Sequence, residues 1–176
     1  MKDLQRLRTS LKEEVELALN AQIKMEAEAS SKYLAMASWC EVNGFLYSAK
    51  YFYKQSEEER EHMLKIFHYL ADQGVMAYSP EVGAVPHEYP TFRSVFETAL
   101  QSEINVTHSI NRLVSLCRRV EDYATENFLQ WFVKEQVEEE INARRALELF
   151  DVIGEEGIGR FTIDRNVYKI TKLEVE

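Results

Sequence analysis

Apolar positions stepping by three and four divide this chain into four long stretches and a short tail. The first stretch runs from about Asp3 to Val42 and reads Leu4, Leu7, Leu11, Val15, Ala18, Gln22, Glu26, Ala29, Tyr33, Ala37 and Cys40, which is the spacing of one helix face. Asn43-Gly44 stops it. The second, over 45–73, reads Phe45, Ala49, Phe52, Ser56, Glu59, Met63, Ile66 and Leu70, and ends near Gly74. So short a turn makes the two helices antiparallel neighbours. The third, over 92–120 with Thr91 as its N-cap, carries Phe92, Val95, Ala99, Glu103, Val106, Ile110, Leu113 and Cys117. The fourth, over 124–153, carries Phe128, Phe132, Gln136, Glu139, Ala143, Ala146 and Phe150. Gly154, Gly157 and Gly159 end it, and Ile163, Val167 and Ile170 predict a minor fifth helix over 163–171.

The segment between the second and third stretches differs in kind. Residues 75–90 hold all three prolines and Gly83. Extended at ~3.3 Å per residue, this segment reaches roughly 50 Å. The second helix, at 1.5 Å per residue, is roughly 42 Å long. The connection can therefore run the length of the bundle and start the third helix parallel to the second. The expected fold is all-α: a four-helix bundle with a long crossover between helices two and three, plus a short C-terminal helix, in a single domain over 1–176.

What interrupts the stripes carries the chemistry. Glu26, Glu59, Glu103 and the pair Gln136/Glu139 occupy core-facing positions, each well inside its helix. An isolated buried carboxylate is costly, so it takes up a proton or finds a cation. One interruption per helix lets all four converge. Glu59 and His62, spaced i and i+3, put both side chains on one face. One imidazole among several carboxylates suits iron, with manganese and zinc also open. Di-iron bundles use a Glu from each of two helices and Glu-x-x-His from each of the other two. Here helix four offers Gln136-x-x-Glu139 instead. A second cation then has fewer protein ligands, which suits passage better than retention.

Charge narrows the partners. A net charge of -9 disfavours a nucleic-acid groove and suits a protein that gathers cations. No stretch approaches the ~20 apolar residues of a membrane span. The N-terminal residues have no signal-peptide core. Cys40 and Cys117 lack metal-site spacing and read as free thiols of a reducing cytoplasm. His68, His87 and His108 have no arguable partner, and Trp39 and Trp131 read as packing residues.

Three stretches carry a resemblance: Tyr33-Leu-Ala-Met-Ala-Ser-Trp39-Cys40, Glu57-Glu58-Glu59-Arg60-Glu61-His62-Met63, and Asn127 through Trp131, Glu135 and Gln136 to Glu138-Glu139-Glu140. Together they resemble the bacterial non-haem ferritins, over about residues 10–170. The resemblance implies the ferritin-like bundle and a cytoplasmic iron store with ferroxidase activity. Fe(II) is oxidised at an intrasubunit di-iron centre by dioxygen or hydrogen peroxide, and ferric mineral collects inside a shell of twenty-four subunits. It also implies ligands: Glu26, Glu59 and His62 for a first iron, with Glu59 bridging to a second held by Glu103 and Glu139, and Gln136 nearby. Tyr33 matches the tyrosine beside the centre. Glu58, Glu135 and Glu138, with Glu139 shared, match a third iron site on the cavity side.

The tail matches the helix around the fourfold axis of such shells. Leu46, Tyr47 and Tyr53 suit subunit contacts, and Glu121, Asp122 and Glu126 a threefold entry channel. The main alternative is a di-iron peroxide- or oxygen-reducing enzyme of the rubrerythrin kind, which normally carries a second Glu-x-x-His. Bacterioferritin is disfavoured because Arg60 stands where a haem-binding Met is expected, so no haem is expected. A DNA-binding mini-ferritin places its ligands between subunits, unlike this arrangement.

Overall fold

A computed structural model describes residues 9–170. Its helices are α1 (Glu13–Val42), α2 (Leu46–Asp72), α3 (Phe92–Arg119), α4 (Tyr123–Ile153) and α5 (Gly159–Ile170). No strand occurs among the described residues. None of these helices is long and apolar enough to cross a membrane.

The first helix begins ten residues later than its stripe predicts. Lys12 is extended and Glu13, Glu14 and Glu16 fill the first turn, where negative charge meets the positive end of the helix dipole. Periodicity continues upstream, but residues 9–12 are not helical, and Asp3, Leu4 and Leu7 lie outside the described residues. Thr91 does cap α3, in a reciprocal capping box with Ser94. Asp122 caps α4 through the Thr125 amide at 3.1 Å. The fifth helix is longer than its apolar positions suggest and starts at Gly159. A Cβ at residue 159 would collide with the Gly154 backbone, so only glycine lets the chain fold back so tightly after α4.

α1 packs along α2 and α3 along α4, α1 also meets α3, and α5 rests on α2 and α4. The crossover runs along α1 in the same direction as that helix, and so back along the length of α2. The Tyr78 amide donates to Asn20 Oδ1 at 2.9 Å, and Tyr89 packs edge-on against Trp39 at 5.8 Å. The connection thus returns to the start of α2, where Phe92 stacks on Phe45 at 3.7 Å. α3 therefore runs parallel to α2, as the length of the segment predicts.

No side chain of the residue preceding α2 caps that helix. Buried Asp164 of α5 does so instead, accepting from Ser48 N at 2.7 Å and Tyr47 N at 3.3 Å. Asp164→Ala should cost about 1–2 kcal/mol, as losing a helix cap does, and should expose α5 to proteolysis. Asp164→Asn, which keeps an acceptor, should cost clearly less. Equal melting temperatures for the two variants would show that the cap is not what holds α5.

The core is split in two. One apolar cluster gathers Tyr33, Met36, Phe52, Phe92, Phe96, Phe150 and Ile163. The other gathers Leu19, Ile23, Ile66, Ile110, Leu129 and Phe132. The stripe interruptions fall between them, so each helix passes from one apolar half to the other through a polar level.

Candidate metal centre

At that level Glu26, Glu59, Glu103, Gln136 and Glu139 are at most 6% exposed, and His62 is 4% exposed. Local helix geometry explains each placement. A residue on a core-facing stripe stays core-facing whether it is leucine or glutamate, and Glu59 and His62 sit three apart on one face. Glu26, Glu59 and His62 bring one ligand atom each to within 4.8 Å of one another, the one such group among the described residues.

The atoms facing this point are bare. Glu26 Oε2, both Glu59 carboxylate oxygens and His62 Nδ1 are buried with no hydrogen-bond partner. Each unmet buried polar atom costs about 1–3 kcal/mol. Four of them converging is unfavourable unless something between them is shared, and a divalent cation fits that role. His62 is fixed from several sides. Its Nδ1 lies 3.5 Å from Glu59 Oε2, its Nε2 3.9 Å from Glu135 Oε1, and the rings of Trp131 and Phe132 meet it edge-on at 5.3 and 6.1 Å. Trp131, expected only to pack, therefore flanks the centre, with Lys65 Nζ 4.1 Å above its ring.

Glu103 and Glu139 are held differently. The Tyr33 hydroxyl donates to Glu103 Oε1. Gln136 Nε2 donates to Glu103 Oε2 at 3.2 Å and to its backbone oxygen at 3.3 Å. Gln55 Nε2 donates to Glu139 Oε2 at 3.1 Å. Neither carboxylate joins the tight group of three.

Burial dominates the electrostatics. Desolvation first, then the charge of Glu59, pushes Glu26 well above the usual carboxylate range, against the Gln22 hydrogen bond. Burial and then Glu103 and Glu139 do the same to Glu59. Glu139 is raised by burial, Glu103 and Glu58. Glu103 is raised by burial against the donations from Tyr33 and Gln136. Without a cation, burial and mutual repulsion favour the protonated form of these carboxyls. Cys40 and Cys117 are free and buried, and burial pushes both thiols up, Cys117 to about 11.

A sequence profile for the ferritin-like domain matches residues 16–153, from the first turn of α1 to the end of α4. The chain belongs to the ferritin family. It is similar to a probable bacterial non-heme ferritin-like protein of Haemophilus influenzae, 39% identical over 157 residues, covering 89% of this chain and 95% of that one. A bacterial non-heme ferritin of Staphylococcus saprophyticus is 37% identical over 139 residues, covering 79% and 83%. Among solved structures, an open pore ferritin of the archaeon Archaeoglobus fulgidus superposes with a TM-score of 0.88 at 34% identity, over 90% of this chain and 97% of its own.

In this ferritin chain the trio Glu58, Glu135 and Glu138 is looser than the buried centre. Glu58 is half-buried and pairs with Lys54 Nζ at 2.8 Å. Glu135 is half-buried, and burial raises it against the pull of His62. Glu138 is exposed. Their charges all act on Glu139, but their oxygens do not converge into a ready group of ligands.

Three polar residues of this level escaped the stripe reading as functional groups. Gln22 donates from Nε2 to Glu26 Oε1 at 2.9 Å. Gln55 grips Glu139 as described. The Tyr51 hydroxyl is raised by burial and by the charges of Glu139, Glu103 and Glu58. A signal did exist for two of them: each glutamine stands one turn ahead of a stripe glutamate, Gln22 before Glu26 and Gln55 before Glu59.

Proposed function

We propose that this ferritin-family chain is an iron-storage subunit with ferroxidase activity. Two Fe(II) ions enter the bundle as substrate and each gives up an electron to dioxygen or hydrogen peroxide. Ferric iron then moves to the interior of a shell built from copies of this chain in the cytoplasm. The observation that carries this reading is the convergence of buried, partnerless oxygens and one imidazole nitrogen on Glu26, Glu59 and His62.

Each residue has a task. Glu26 and His62 hold the first ion and Glu59 bridges to the second, which Glu103 and Glu139 bind with Gln136 beside them. Their negative charge favours Fe(III) over Fe(II), and so favours the oxidation. The protons they carry when empty leave as iron arrives, and others are released as ferric iron hydrolyses. Tyr33, bonded to Glu103, orients that ligand and stands ready as an electron donor. Glu58, Glu135 and Glu138 form the next station toward the cavity, with Glu139 shared. Exposed Leu46, Tyr47 and Tyr53 supply apolar contacts between subunits.

Aerobic addition of Fe(II) to metal-free protein, followed by ferric absorbance and particle size, tests this. A fast phase using about two Fe(II) per subunit, then slower growth of a mineral retained in a large particle, is expected. His62→Ala should remove the fast phase while leaving particle size unchanged. Wild-type protein that oxidises iron no faster than buffer would end the proposal.

A further inference from the structure

The carboxylates of the centre differ in what holds them. Glu59, placed between the others, has no hydrogen bond on either oxygen. Glu26 and Glu139 each receive one bond from a buried glutamine amide, and each of these amides leaves its own oxygen, Gln22 Oε1 and Gln55 Oε1, without a partner. A buried amide met at one end only is a poor core residue, since an apolar side chain of similar length packs there without the loss. What both glutamines retain is the same contact, an N–H directed at a carboxylate oxygen.

The two contacts differ in reach. Gln22 and Glu26 are four residues apart on α1, so their bond stays within one helix. Gln55 and Glu139 are 84 residues apart and join α2 to α4. In each pair the bond occupies one carboxylate oxygen. On Glu26 the other oxygen, Oε2, is left bare beside Glu59 and His62.

We infer that Gln22 and Gln55 are positioning residues for two separate cation sites, Gln22 aiming Glu26 at the first and Gln55 aiming Glu139 at the second. This rests on the proposed two-ion centre. A neutral amide suits the task because it orients a carboxylate without bringing a positive charge that would compete with the cation. A hydrogen bond to an ionised carboxylate is also stronger than one to a neutral group. Groups that orient a metal ligand in this way typically govern affinity by 10- to 100-fold.

The test uses metal-free, assembled, full-length protein and Co(II), which binds as a divalent cation without reacting with dioxygen here. Binding is read by calorimetry and by the visible absorption of bound cobalt. Methionine keeps the length of glutamine and lacks the N–H. Gln22→Met should weaken the first binding event about tenfold and leave the second within twofold. Gln55→Met should do the reverse.

A merely structural role would lower the melting temperature and move both events together. Equal shifts in both events, or none, overturn the assignment while leaving the two-ion centre standing. Wild-type protein that binds no Co(II) overturns both.

Discussion

Glu59→Gln should abolish rapid iron oxidation and, in the same protein, raise the melting temperature of the metal-free form. The two effects have one cause. Glu59 is fully buried, neither oxygen has a hydrogen-bond partner, and Glu103 and Glu139 act on it from the sides. Glutamine has the same shape and cannot be forced to ionise, so the metal-free core loses an unfavourable group. Keeping a buried carboxyl protonated costs about 1.4 kcal/mol for each pH unit above its ordinary pKa, and its relief corresponds to roughly 3–6 °C per such unit for a chain of this size. The same neutrality removes the anionic bridge proposed between the two ions. Loss of a group that merely orients a ligand costs up to about 100-fold, so loss of the bridge itself should lower the initial oxidation rate by at least about that factor. Calorimetry of the metal-free variant and stopped-flow absorbance after mixing with Fe(II) measure the two halves. A variant that oxidises iron normally, or that melts lower than wild type without metal, would contradict this account of Glu59.

The pH dependence of stability gives the second large effect. Glu26, Glu59, Glu103 and Glu139 all have their pKa raised above the ordinary value of 4.5 in the folded protein. Below that value both folded and unfolded chains hold these protons, and the stability contributed by the neutral buried forms is complete. As pH rises, the unfolded chain releases its protons first. Stability then falls until the folded pKa is passed, by about 1.4 kcal/mol per pH unit for each such group. The melting temperature of metal-free protein in chelator should therefore decline from about pH 5 toward pH 8. The gap between wild type and Glu59→Gln isolates one group from all others, and it should widen over the same range. Saturating Zn(II) should close the gap or reverse it, because a cation bound only by the folded state replaces the protons. A gap that stays constant with pH would mean that Glu59 is not held protonated.

Much of this arrangement is legible in the sequence, for a physical reason. Core-facing positions are set by helical periodicity, which needs no tertiary information, so Glu26, Glu59, Glu103, Gln136 and Glu139 could be placed inside before any packing was known. Three prolines and a glycine within 75–90 mark the crossover equally directly. The start of α1 was not legible, because apolar periodicity runs past the point where the acidic first turn fixes the helix end. Nor was the start of α5, where the decisive fact is the close approach of Gly159 to the Gly154 backbone. The roles of Gln22 and Gln55 were hidden for another reason. Gln22 stands on the first stripe, but only the fold shows its amide bonded to Glu26; Gln55 lies beside its stripe, where a polar residue is usually solvated, and its bond to Glu139 joins helices far apart in the chain. The short helix α5 carries a similar long-range secret in Asp164, which caps α2.

Buried polar residues of the bundle include glutamates, glutamines, serines and one histidine, and among the described residues no lysine or arginine lies with them. The protein has thus built an interior with anions and neutral donors but no permanent counter-ion of its own. On the proposed reading, electroneutrality there is borrowed, from protons in the empty centre and from iron in the loaded one. A native lysine in that layer would have supplied a permanent counter-charge and left nothing to exchange. If iron passes through as proposed, turnover is written into the charge balance of the core itself: each ion that leaves is replaced, by protons or by the next ion.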